Sequence, residues 1–225
     1  MLASAAAGVP STFSGVAEGV AVLVLLSEFA MLRAPLHRSQ LRLYAFQSLA
    51  VTGLAAYVAS RGVPQLYALA GLSLVLKVIV VPVVVLRLLQ RSRVALAGSN
   101  RIGVATMTLL AIVLSVFAVS VVGSLTVHSS SLPAEAFALA VAVILVAFLL
   151  VIVRSDVVSQ AVGFFSLENG VSMASLVVAA GLPLVVEVAF LFDLLVAVIV
   201  FGVLMRIHQS RSHTLSAEDF DRLRG

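Results

Sequence analysis

Glu168, Asp193 and Lys77 are ionisable residues set inside long apolar stretches, and polar partners recur around them at helical spacing. Ser172 and Ser175 follow Glu168 by four and seven residues, Asn169 stands beside it, and Ser73 precedes Lys77 by one turn. On a helix, Glu168, Ser172 and Ser175 form one polar stripe, suited to a helix interface or a file of water. A charge at the centre of a bilayer costs about 2.5–3.5 kcal/mol on insertion scales, so such groups must face protein or water, be paired, or be neutral. The chemistry this pattern suits is taking up and releasing a proton. The plainer reading of Glu168 and Asp193 is a hydrogen-bonded anchor between helices. Lys77 reads as a snorkelling side chain, a fixed counter-ion, or a lysine whose protonation is coupled to an acid across the bundle, with Pro82 loosening the helix beside it. Glu187 precedes Asp193 by six residues, about 120° away around a helix, so these two acids address different neighbours.

The elements that hold these residues are membrane helices. The chain has 225 residues, 62% of them hydrophobic, and a mean hydropathy of +1.20, more apolar side chain than one soluble core can bury. Uninterrupted apolar runs of about 20 residues match a hydrocarbon slab of roughly 30 Å, and their lack of alternation selects helices over a barrel. Spans are expected near 12–32, 41–60, 64–86, 103–126, 134–153, 157–180 and 183–205, with Pro64, Pro133 and Pro183 at helix starts. Arginines cluster after the first, third and seventh spans and Arg154 follows the fifth, whereas the opposite connections hold only Arg61. The positive-inside rule then sets the N-terminus outside and the C-terminus in the cytoplasm. The first span is expected to persist in the mature protein, because no basic residue precedes it. No internal repeat stands out.

Helical rise places Lys77 about 15 Å above Arg87, Asp193 about 20 Å above Arg206 and Glu168 about 21 Å above Arg154, far from either headgroup layer. Glu28 lies about 8 Å above Arg33, and Glu18 and Glu187 fall in the outer half, so these are less expensive. Glu28 and Glu18 read as structural or interfacial. Gln47, Ser48 and Thr52 form a polar patch on the second span that reads as helix-packing glue. After Arg206, "LSAEDFDRLRG" carries a helix signature: Ser216 as cap, Asp219 in the first turn, Phe220 stapling to Leu215, and Arg222 and Arg224 at the end.

Several chemistries are excluded. The chain has no cysteine for a disulfide or a thiolate-held cluster, and His37, His128, His208 and His213 all fall in connections or at helix ends, leaving no mid-membrane pair for haem. No nucleotide loop, metal cluster or nucleophilic triad is present, and the formal charge of +4 reports topology, not nucleic acid.

The spacing resembles the hydrogenase-4 component E family, membrane subunits of formate hydrogenlyase-type complexes whose final helices are similar to the K-type subunit of respiratory complex I. It rests on "LYAFQSLAVTGLAAYVA" at 43–59, "LYALAGLSLVLKVIVVPVVV" at 66–85, "SQAVGFFSLENGVSMAS" at 159–175, "GLPLVVEVAFLFDLLVAVIVFGVLMRIH" at 181–208 and the closing "LSAEDFDRLRG". The resemblance implies a non-catalytic subunit, without a cofactor of its own, beside antiporter-like and other membrane subunits in a bacterial or archaeal plasma membrane, with the hydrophilic hydrogenase arm as a further candidate partner. Glu168, in "LENG", matches the first membrane glutamate of the K-type subunit; for the second, Asp193 and Glu187 compete. Lys77 and Pro82 fit the component E pattern and have no K-type counterpart.

The expectation is therefore an all-α polytopic membrane bundle with an N-terminal four-helix part (1–126), a C-terminal three-helix part (127–208) and a cytoplasmic tail (209–225). In it Glu168, Asp193, Lys77 and Glu187 are the proton-path candidates, with Asn169, Ser172, Ser175 and Ser73 in support. The alternatives are a structural scaffold between larger membrane subunits and a free-standing small-molecule transporter.

Overall fold

The computed structural model describes residues 11–91, 101–124 and 134–178, together with 199, 202 and 203. Its elements are α1 (Ser11–Arg33), α2 (His37–Ala59), α3 (Gln65–Ser73), a π-helical stretch (Leu74–Val80), α4 (Val81–Arg91), α5 (Val104–Val122), α6 (Ala134–Val153) and α7 (Val157–Val178). These coincide closely with the first six expected spans, because slab thickness fixes the length of each apolar run. The seventh span, the tail, Glu187 and Asp193 lie outside the described residues, except for positions 199, 202 and 203.

Five helical segments are long and apolar enough to cross a membrane: Gly15–Arg33, Gln65–Gln90, Val104–Val122, Glu135–Val153 and Val157–Val178. The fold is that of a multi-pass, all-helical membrane protein. α2 matches α1 in length at 23 residues but is not among the five: Arg38 and Arg42 are exposed near its start, and the polar residues His37, Gln40, Gln47, Ser48 and Thr52 are buried. Its low hydropathy thus reflects both its basic start and what it shows to other helices. α5 is the reverse case, with Leu109, Val113, Val116 and Phe117 turned outward, where acyl chains suit them.

α7 packs against α6 and α2, α1 against α2 and α6, and α5 against α6 and α1. Two apolar cores fill the bundle. One, around Met31, Tyr44, Leu150 and Phe165, lies toward the α1–α2 and α6–α7 connections. The other, around Val24, Leu54, Val143 and Met173, lies toward the opposite end. The first end carries Arg33, Arg38, Arg42, Arg87 and Arg154 and is called the basic end below.

The approach of α7 to α6 depends on Gly163 and Gly170, two turns apart on one face. A Cβ at Gly163 would meet Val151 Cγ2 at 2.9 Å and the Val151 backbone nitrogen at 3.2 Å. At Gly170 it would meet Ile144 Cγ1 at 2.8 Å and the Ile144 nitrogen at 3.1 Å. Side chains can rotate away from such a contact, but a helix backbone cannot, so a larger residue must push the helices apart. Lipid supplies no hydrophobic force to hold them together, and van der Waals packing across small residues does that work. Gly170→Leu is expected to destabilise the bundle by about 1–3 kcal/mol, the usual penalty for overpacking. Gly53→Leu, at an exposed α2 position with nothing within 4 Å, should not lower stability. Unfolding midpoints of the two variants in mild detergent check this, and equal midpoints would remove the glycines from the account.

Lys77 owes its placement to an irregular rod. Pro82 has no amide hydrogen for the carbonyl four residues back, and its ring crowds that carbonyl. Just ahead of it the helix widens over Leu74–Val80, where the Val81 amide reaches back five residues to the Leu76 carbonyl. Such π-type turns shift the residues that follow around the helix axis and are frequent at functional sites. Lys77 sits within this stretch and is buried.

Candidate functional site

Lys77 Nζ lies 3.1 Å from Glu168 Oε1 and donates to Ser172 Oγ at 3.0 Å. The lysine is 2% exposed and the glutamate 7%, so this is an ion pair held between the α3–α4 rod and α7 and shielded from solvent. A cavity of about 30 Å³ adjoins it, lined by Thr52, Ser73, Lys77, Glu168, Ser172 and Ser175 among others. That is room enough for a water, and the walls offer the polar partners a water needs. Thr52 Oγ1 donates to Ser73 Oγ at 3.3 Å, and Ser175 Oγ donates to the Ser172 carbonyl at 3.0 Å. Oxygens from α2, α3 and α7 therefore surround one compensated charge pair. Chemically, such a pair can hold a proton on either partner, and the adjacent hydroxyls can carry hydrogen bonds to and from it.

A second polar network occupies the neighbouring face of α7. Gln47 Nε2 donates to Glu28 Oε2 at 2.8 Å and also approaches the Val24 carbonyl at 3.3 Å. Ser166 Oγ contacts Glu28 Oε2 and lies 2.7 Å from Gln47 Oε1. Asn169 Nδ2 donates to Gln47 Oε1 at 3.1 Å and to Ser48 Oγ at 2.8 Å. Glu28, Gln47, Ser48, Ser166 and Asn169 are each 0% exposed, so α1, α2 and α7 meet through a fully buried knot of polar side chains.

A third group gathers at the basic end. Ser159 Oγ donates to Gln40 Oε1 at 2.9 Å and lies 3.4 Å from His37 Nδ1, while His37 Nδ1 stands 3.6 Å from Asp156 Oδ1. Asp156 also caps α7, accepting from the Ser159 amide at 2.7 Å. Arg154 is buried, and its guanidinium donates to the carbonyls of Met31, Leu32 and Ala34 at 3.2, 2.9 and 2.9 Å. Burial pushes its pKa below the ordinary guanidinium value, and the Asp156 carboxylate pushes it back up. The three groups lie along the α2–α7 interface, at residues 37–40, 47–48 and 52 of α2 and 156–159, 166–169 and 168–175 of α7. Among the described residues, no three of His, Asp and Glu come together as metal ligands.

The structure brings together Glu168, Lys77, Ser172, Ser175 and Ser73 from the sequence-derived set. Asn169 joins the second network instead, because one residue along a helix turns the side chain by about 100°. Glu28 and Arg154 are the residues that sequence reasoning placed least well. A signal for Glu28 was available: Gln47 and Ser48 on α2, with Ser166 and Asn169 on α7, repeat polar groups at helical spacing and would go unsatisfied without a polar partner.

What fold and site define is a multi-pass membrane helix bundle carrying a buried lysine–glutamate pair and polar seams between its helices. No family model matches the chain, and no solved structure matches it. The chain is 46% identical over 65 residues to Rv0085, an uncharacterized protein of Mycobacterium tuberculosis. That similarity covers 29% of this chain and 30% of the relative's length.

Proposed function

We propose that the chain is a non-catalytic subunit of a proton-translocating, complex I-related redox complex of the hydrogenase-4 type, and that Glu168 and Lys77 form part of its mid-membrane proton path. The observation that carries the reading is the buried contact between Lys77 Nζ and Glu168 Oε1 at 3.1 Å, beside a cavity of about 30 Å³ walled by hydroxyls. Ionisable groups at that depth are expensive and concentrate on ion and proton pathways. The segments that resemble component E, at 66–85 and 159–175, are those that contribute the two charges. In this reading the chain has seven spans, its N-terminus outside and its C-terminus in the cytoplasm of a bacterial or archaeal cell. Antiporter-like subunits flank it, and the redox chemistry belongs to other chains. Asp193 or Glu187 continues the path.

Glu168→Gln keeps the shape of the side chain and removes its proton site. The expected result is an assembled complex whose proton translocation, followed with a pH-sensitive dye in membrane vesicles, falls to a small fraction of wild type. Unchanged translocation would refute the role. The contact of Lys77 with both Glu168 and Ser172 also suits a scaffold in which the charges only pair helices. In that case the same variant disturbs assembly and leaves coupling intact in whatever complex forms.

A further inference from the structure

We infer that Glu28 is a second proton-binding site and that it carries its proton in the resting protein. The inference goes beyond the role given to Glu168 and Lys77 and stands on a count of hydrogens. Three oxygens, Glu28 Oε2, Ser166 Oγ and Gln47 Oε1, make two successive contacts: Ser166 Oγ touches Glu28 Oε2 and lies 2.7 Å from Gln47 Oε1. Two oxygens at such separations need a hydrogen between them, and no water fits in the gap. The Ser166 hydroxyl supplies one hydrogen only. If it goes to Gln47, the contact with Glu28 needs a hydrogen from the carboxyl. If it goes to Glu28, the 2.7 Å contact with Gln47 sets two acceptors face to face.

Turning the Gln47 amide over does not remove the deficit. Its nitrogen would then face Ser166, and its oxygen would stand 2.8 Å from Glu28 Oε2, an acceptor against an acceptor unless the carboxyl donates. It would also oppose the Val24 carbonyl, which now lies 3.3 Å from the amide nitrogen. In either orientation the network is one hydrogen short, and a proton on Glu28 closes it. The surroundings agree. Glu28 is fully buried, it enters no ion pair among the described residues, and its second oxygen, Oε1, has no hydrogen-bond partner there. An ionised carboxylate would be left with an unanswered charge and an empty acceptor, the costliest form of burial. The ligand of this site is a single proton, and its binding groups are Glu28, Ser166 and Gln47.

Infrared spectroscopy of the full chain in mild detergent at neutral pH tests the inference, with isotope-labelled glutamate to assign the signal. A carbonyl stretch of a protonated glutamic acid is expected in the wild type, retained in Glu168→Gln and lost in Glu28→Gln. Should Glu28→Gln not fold, Ser166→Ala serves, and the band is expected to shift because its hydrogen-bond partner has gone. Absence of the band in the wild type overturns the inference, as does a band indifferent to both substitutions. Proton translocation by Glu168→Gln is a separate measurement, so either proposal can fail without the other.

Discussion

Replacing Lys77 with alanine is expected to destabilise the bundle by about 3–5 kcal/mol, the range observed when one partner of a buried ion pair is removed. Glu168 is 7% exposed and would lose the cation that lies 3.1 Å from it, leaving a buried carboxyl without its partner. Ser172 can rotate toward the carboxylate, but one hydroxyl replaces a charge poorly. Lys77→Met combined with Glu168→Leu is expected to recover most of the loss, because apolar side chains of similar volume often replace a buried pair without net cost. Unfolding midpoints of the two singles and the double in mild detergent form a cycle whose coupling reports the pair directly. A Lys77→Ala midpoint equal to wild type would mean that the lysine reaches out to the headgroups and not to Glu168. The same double variant separates function from fold, since the proposed role predicts a stable bundle unable to support proton translocation.

Much of this arrangement is legible before any coordinates, and the reason is the solvent. A slab of fixed thickness sets the length of each apolar run, so α1, α5, α6 and α7 appear within a few residues of their expected bounds. The same slab makes Lys77 and Glu168 conspicuous, because charge there is expensive wherever it points. Counting along one helix, however, gives height and not lateral position. Glu28 reads as a residue near the surface by its distance from Arg33, yet it is fully buried, because α1 turns that face toward α2 and α7. Which faces meet follows from contacts distant in sequence, such as Gly170 against Ile144, and no local pattern encodes those. α2 shows the opposite difficulty: beside the exposed Arg38 and Arg42, residues that lower its hydropathy look inward, where Gln47 serves α1 and α7 at once. The reading of Gln47 and Ser48 as helix-packing glue describes their contacts well, but it leaves out the carboxyl they surround.

Arg154 carries the other large expected effect. By composition it is one more positive charge marking the cytoplasmic side. In the structure its guanidinium reaches three carbonyls at the end of α1, at 3.2, 2.9 and 2.9 Å. The last carbonyls of a helix have no intrahelical partners and carry the negative end of its dipole, so a buried cation there both satisfies and neutralises them. The backbone of the residue is engaged as well. Its amide extends α6 by donating to Leu150 at 3.1 Å, and its carbonyl accepts from Gln160 Nε2 at 2.9 Å. One residue thereby fastens the end of α1 to the α6–α7 turn. Arg154→Leu would leave the buried Leu32 carbonyl without its donor, at about 1–3 kcal/mol, and would strip a charged donor from the Met31 and Ala34 carbonyls, which keep the Ala34 amide at 3.3 Å and Gln40 Nε2 at 2.9 Å; a loss of about 3 kcal/mol in unfolding free energy is expected. Arg154→Lys distinguishes the two accounts of this residue. Lysine keeps the charge but ends in a shorter side chain with a compact ammonium, which must reach the carbonyls now met by Arg154 Nη2, so it should insert in the wild-type direction and still lose part of the stability. Accessibility labelling of the termini reads orientation, and the detergent unfolding midpoint reads the cap. A lysine variant as stable as wild type would reduce Arg154 to its charge alone.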